Sequence, residues 1–182
     1  MAKSFLFLAE GFEEIEALAT VDVLRRGGID VLTVSIKDHK SVRGAHGVTV
    51  EADLTFKEAD FDGSDWLILP GGMPGASNLH NFAALNDLLK VHHGRIAAIC
   101  ASPSLVLGPT GLLEGKPATC YPGMEADLVA GGADYRPTEK VVKAGRIITA
   151  YGPGATIDFA LTIVAETMGD ERAKQVREGM LA

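Results

Sequence analysis

Three apolar runs, at residues 5–8, 66–69 and 96–99, are each long enough for one strand and break off abruptly into small or turn-forming residues. The first leads into Ala9-Glu10-Gly11, the second into Pro70-Gly71-Gly72 and the third into Cys100-Ala101-Ser102-Pro103. Segments with helical end signals separate them. Strands alternating with helices of this length build a mostly parallel sheet covered on both faces, with functional groups collecting at the carboxyl ends of the strands.

The remaining elements read as follows. A helix spans 13–26 and is closed by Gly27-Gly28; a strand follows at 31–34. Residues 42–50 suit irregular extended chain or a small hairpin. Asn81 is placed to cap a helix running to about His92. A helix after Cys100 runs to about Leu107, a short strand covers 118–120, and a short helix covers 125–130. Strands at 141–143 and 147–149 flank Ala144-Gly145-Arg146, a hairpin turn at the sheet periphery. An apolar helix covers Thr156–Met168, and Asp170 is expected to cap the last one. With 182 residues and no linker or repeat, residues 1–182 are expected to form a single domain.

A net charge of −7 and the lack of a basic stripe argue against nucleic acid as the main partner. No apolar stretch approaches the roughly 20 residues of a membrane span. The apolar run near the start is too short for a secretion signal and reads as a first strand. Two cysteines suit a reducing compartment, so a cytoplasmic protein is expected.

The residues that suggest chemistry lie at the strand ends. Cys100 stands where a strand turns sharply into a helix, with Pro103 suited to the first helical turn. The N–H groups of that helix start favour thiolate, the nucleophilic form. A buried structural cysteine is the plain alternative. Glu10, Glu13, Glu14 and Glu16 crowd the loop after the first strand; Glu13 and Glu14 read as solvated acids near a helix N-terminus. Glu16, between Ile15 and Ala17-Leu18, suits a partly buried place, where a carboxyl stays protonated and donates a hydrogen bond to a thiolate. One proton shared by Glu16 and Cys100 would leave Cys100 substantially thiolate at neutral pH. The backbone N–H of Gly72, with those after Cys100, can form an oxyanion site. None of the five histidines follows Cys100 or shows metal-ligand spacing, and Cys120 reads as a packing residue.

Four motifs, Glu-Gly-Phe-Glu-Glu-Ile-Glu, Leu-Pro-Gly-Gly-Met-Pro-Gly, Ala-Ile-Cys-Ala-Ser-Pro and Gly-Pro-Gly-Ala-Thr-Ile-Asp-Phe-Ala, together resemble the ThiJ/PfpI superfamily. The likeness covers essentially the whole chain and is greatest to the branch of YajL and the Parkinson-disease protein deglycase. It implies an α/β fold, a flavodoxin-like three-layer sandwich with a nucleophile-elbow cysteine, and a homodimer in which the first helix is a candidate interface. It also implies Cys100 as nucleophile and peroxide target, Glu16 as the protonated carboxyl beside it, and the N–H groups of Gly72 and Ala101 as the oxyanion site. Tyr121 and His46 fall at positions implied to border a substrate pocket, His46 where several relatives have arginine. No cofactor or metal is implied. Ala101 stands where protease-like relatives have histidine, which weighs against a peptidase, and no nucleotide or kinase motif supports a thiamine-pathway enzyme. Two readings stay open: a cysteine-dependent stress-response enzyme of the glyoxalase or deglycase type, acting on small reactive aldehydes or glycated substrates, or a non-enzymatic oxidation sensor or redox-regulated chaperone.

Overall fold

The three apolar runs are neighbouring strands of one sheet. In a computed structural model that describes residues 2–182, β1 (Ser4–Leu8), β2 (Val31–Ser35), β5 (Leu54–Thr55), β6 (Trp66–Leu69) and β7 (Arg95–Ile99) pair in parallel. Strands β3 (Ser41–Arg43) and β4 (Thr49–Glu51) form a separate antiparallel hairpin, and β8 (Pro117–Ala118) pairs with β9 (Asp134–Tyr135). The main sheet is completed by β10 (Val141–Ala144) and β11 (Ile147–Ala150), in the order β10-β11-β7-β6-β1-β2-β5. The β10–β11 pair, the hairpin read around Ala144-Gly145-Arg146, is the single antiparallel pair of the main sheet. It sits at the edge, as expected.

Alternation along each strand explains the unbroken apolar runs. Leu6, Leu8, Ile68, Ala97 and Ile99 face one core, shared with Leu24 of α1 (Thr20–Gly27) and Phe159 and Ile163 of α5 (Thr156–Met168). Phe5, Phe7, Leu67, Leu69, Ile96 and Ala98 face the other, with Leu79 of α2 (Gly75–His80), Leu85 and Leu89 of α3 (Ala83–Val91) and Leu128 of α4 (Ala126–Ala130). Side chains of successive strand residues point to opposite faces, so a sheet sandwiched between two helical layers needs apolar residues at every position. The last helix, α6 (Asp170–Met180), packs on α5. No helix among the described residues is long and apolar enough to cross a membrane.

Three local expectations need correction. The helix expected over 13–26 begins as a π-helical turn, Ile15–Ala19, before α1. Asn81 does not start a helix: the chain forms α2 and α3 as two pieces, with Asn81 the C-cap of the first and Phe82 the N-cap of the second. Asp170 is the first residue of α6, and Gly169 occupies its cap position.

Helices α1 and α5 approach closely at Gly27, where an added Cβ would lie 2.8 Å from Val164 Cγ2. Val164 is fully buried and stiff at χ1, so it cannot turn aside. Gly27→Ala should therefore destabilise the fold by about 1–3 kcal/mol through overpacking, despite alanine's better helix propensity. Urea unfolding midpoints of the two proteins check this.

Candidate functional site

Because β1, β6 and β7 are adjacent and parallel, the loops that leave their carboxyl ends meet at one edge of the sheet. Cys100 is the first residue beyond β7 and has φ +65°; Leu181 near the C-terminus is the other non-glycine residue with positive φ among the described residues. A left-handed conformation is strained for a side chain with Cβ and persists where its surroundings hold it. Here the Cys100 N–H donates to Ala150 O at 2.9 Å, and the Tyr121 N–H donates to Cys100 O at 2.8 Å. Two residues on, the Ser102 hydroxyl donates to Pro70 O at 2.6 Å and ties the corner to the glycine loop after β6. A second π-helical turn, Pro103–Leu107, follows. The sharp corner read from Cys100-Ala101-Ser102-Pro103 is thus present.

Glu16 comes from the π-turn after β1 and is fully buried. Its Oε2 accepts the Gly71 N–H at 2.7 Å, while Oε1 is buried with no hydrogen-bond partner, which a neutral carboxyl tolerates better than a carboxylate. Glycine is required at 71 because an added Cβ would lie 2.6 Å from Cys100 Cβ and 2.8 Å from Glu16 Oε2. At Gly72, φ is +89° and a Cβ would strike the Glu13 backbone nitrogen at 2.4 Å. With glycines at both positions, the loop packs against Glu16 and Cys100 and turns the Gly72 N–H toward the sulfur. That N–H and the one of Ala101 both pull the Cys100 thiol pKa down. Cys100, Glu16, Gly72 and Ala101, picked out separately along the chain, therefore form one cluster.

Burial pushes the Glu16 carboxyl up to about 7, with the charge of Glu13 adding to the rise and the Gly71 N–H and Cys100 hydrogen bonds opposing it. Burial also pushes the Cys100 thiol up, to about 12 beside the charge of Glu16, and the N–H groups of Gly72 and Ala101 pull it back. The desolvation of the sulfur, only 8% exposed, is what a sequence reading based on the helix start leaves out. Two adjacent buried acids cannot both ionise, so the pair carries one negative charge near neutrality and titrates as a unit. Two backbone donors converge on the sulfur and one on the carboxylate, and Glu13 repels charge from Glu16. These opposing pulls leave one proton and one negative charge to be divided between Cys100 and Glu16.

Glu13 and Glu14, expected to be solvated, are buried. Glu13 Oε2 accepts the Glu16 N–H at 2.7 Å, so it caps the turn that carries Glu16. Glu14 reaches the β3–β4 hairpin, where Oε1 accepts the His46 N–H at 2.8 Å and Oε2 lies 2.9 Å from His46 Nδ1. His46, placed by resemblance beside a substrate pocket, is engaged with these carboxylates rather than with the sulfur. Tyr121 is joined to the cysteine through its backbone N–H, and its half-exposed ring lies against Gly152. Cys120 is fully buried in the core beneath, a packing residue as expected. Sequence reasoning missed Gly71 and Ser102: the requirement at both comes from contacts between loops far apart in the chain, and Gly71 reads locally as one more turn glycine.

The DJ-1/PfpI family profile matches residues 2–166. Protein DJ-1 homolog A of Arabidopsis thaliana is 40% identical over 177 residues, covering 96% of this chain and 45% of that protein. The chain thus spans less than half the length of that plant relative. The Parkinson disease protein 7 homolog of Danio rerio is 38% identical over 98% of this chain and 96% of its own. The glutathione-independent glyoxalase DJR-1.2 of Caenorhabditis elegans is 36% identical over 96% of this chain and 94% of its own. Among solved structures, oxidized Toxoplasma gondii DJ-1 superposes with a TM-score of 0.92 at 36% identity, over 100% of this chain and 98% of that one. Drosophila melanogaster DJ-1beta superposes with a TM-score of 0.94 at 35% identity and the same coverage.

The raised Glu16 pKa has a consequence for stability. Between its ordinary 4.5 and about 7 the unfolded chain releases the Glu16 proton while the folded chain keeps it. The folded state then binds more protons, so this contribution is full below about 4.5 and is lost as pH rises through about 7. Relative to wild type, Glu16→Gln should gain on the order of 3 kcal/mol from pH 4.5 to 7. Denaturant midpoints of both proteins across that range measure it.

Proposed function

The chain belongs to the DJ-1/PfpI family, and from that footing we propose that it is a cysteine-dependent stress-response enzyme acting on small reactive carbonyls, of the glyoxalase or deglycase type. The observation that carries this reading is the fully buried Glu16 carboxyl set beside Cys100 at a positive-φ corner, with the Gly71-Gly72 loop packed against both. The name of the C. elegans relative, a glutathione-independent glyoxalase, supports the same class.

With methylglyoxal as substrate, the Cys100 thiolate adds to the aldehyde carbon. The carbonyl electron pair moves to oxygen, which takes the proton from Glu16 and gives a hemithioacetal. The Glu16 carboxylate, now a base beside the adduct, removes the hydrogen from the former aldehyde carbon and returns a proton to the adjacent carbon. The resulting thioester of a 2-hydroxy acid is cleaved by water, releasing lactate and restoring the pair. Water is added and no net oxidation occurs, so no cofactor is needed. Adducts of the same aldehydes with amines or thiols present a related tetrahedral carbon to the same sulfur, which is the deglycase form of the reaction. The N–H groups of Gly72 and Ala101 act on negative charge at the reacting centre. Tyr121, half exposed next to Cys100, borders the approach.

Conversion of methylglyoxal to lactate, with contaminating glyoxalases excluded, tests this. Wild type should turn over, Cys100→Ser should lose all activity, and Glu16→Gln should lose about 10²–10⁴-fold, the usual worth of a positioned acid–base group. No lactate from wild type would overturn the enzyme reading and leave the oxidation-sensor reading, which the oxidized state of the Toxoplasma relative supports.

We also propose a homodimer formed over the exposed Ile15 and Leu18 of the first helical turn. Sedimentation at micromolar concentration should give twice the 19.1 kDa chain mass, and a monomer mass would reject it.

A further inference from the structure

The β3–β4 hairpin lies outside the main sheet and is fastened to the loop that carries Glu16. The Gly11 N–H donates to Arg43 O at 2.8 Å, and the Ala45 N–H donates to Phe12 O at 2.8 Å. Gly44 leaves the space that Glu14 fills, since an added Cβ there would lie 2.4 Å from Glu14 Cδ. The buried Glu14 carboxylate then takes the His46 and Val48 N–H groups and faces the His46 ring. From His46 the contacts run inward: Nδ1 is 3.9 Å from Glu13 Oε1, and Glu13 Oε2 is 2.7 Å from the Glu16 nitrogen.

We propose that His46 is a positioning residue for the Glu16–Cys100 pair: its docked imidazolium holds the hairpin against the Glu16 loop and offsets the two carboxylates that stand between it and the pair. The idea rests on the proposed reading only in that a reactive Cys100 is what His46 tunes. The groups that face the ring are Glu14 and Glu13 from the loop after β1; on its own hairpin the Arg43 guanidinium lies beside Gly47. The hydrogen bond and charge of Glu14 raise the His46 pKa above its ordinary 6.5, so the positive charge persists into the range where the pair loses its proton. The charge of Glu13 pushes the Glu16 carboxyl up; a cation beside Glu13 counters that push and eases ionisation of the pair. When His46 loses its proton the two carboxylates stand uncompensated, and the pair holds its own proton more tightly. The His46 side chain is 72% exposed, so solvent and salt screen the effect to about a two- to fivefold change in thiolate population.

Alkylation of Cys100 by iodoacetamide, assigned by mass spectrometry at low salt and followed against pH, reads that population directly. His46→Gln should react about two- to fivefold more slowly than wild type at about pH 6 and converge with it in alkaline solution. His46→Arg, charged throughout, should match wild type at about pH 6 and exceed it at higher pH, once the wild-type imidazole loses its charge. If the Gln variant proves unfolded by circular dichroism, the Arg variant alone decides. A Gln curve that superposes on wild type, or a folded Arg variant that does not match wild type at about pH 6 and exceed it at higher pH, overturns the proposal. The readout uses no carbonyl substrate, so its failure is distinct from a failure of the proposed reaction.

Discussion

Two acids buried side by side can carry only one charge between them, and the structure around Cys100 is arranged to meet that condition. Glu16 is fully buried and the sulfur nearly so, which raises both and leaves one proton to share. Glycine at 71 is what lets the two side chains meet, because any Cβ there would occupy their contact. Backbone N–H groups act on both acids, those of Gly72 and Ala101 on the sulfur and that of Gly71 on the carboxyl, and each eases the ionisation of the group it faces. A more exposed pair would lose the coupling, since water would solvate each acid separately.

The strained backbone at Cys100 belongs to the same arrangement. A left-handed residue at the end of a strand is held by hydrogen bonds to Ala150 on one side and Tyr121 on the other. These partners come from strand β11 and from the loop after β8, so the corner is held by tertiary structure and not by its own turn. Parallel neighbours are the precondition: β1, β6 and β7 end at the same edge, so three loops distant in sequence converge without a long excursion of chain.

The acidic loop after β1 works as a layered support. Glu13 caps the turn that presents Glu16, and Glu14 anchors the β3–β4 hairpin through its N–H groups and the His46 ring. Neither carboxylate is idle at the surface. Their burial is affordable because each accepts hydrogen bonds from backbone N–H groups, which satisfies a buried anion as water would.

Some of this follows from the sequence alone. Short unbroken apolar runs such as 66–69, bounded by turn residues, suit strands buried on both faces, so the covered parallel sheet is legible in the hydrophobic pattern. The corner at Cys100 and the buried place of Glu16 are legible too, since one is marked by an abrupt change of residue type and the other by apolar neighbours on a helical turn. The depth of that burial is not. Glu13 and Glu14 look like solvated helix acids because a local sequence window does not contain the hairpin at 41–51 that covers them. Asn81 looks like a cap because its residue type suits one, while the chain breaks into two helices there. Gly71 looks like any turn glycine because the atoms that exclude its Cβ come from Glu16 and Cys100. Local residue choice thus determines which strands form and which side chains are chemically able. Only the tertiary structure decides how far each acid is removed from water and what stands beside it, because desolvation and charge are set by neighbours in space rather than in sequence.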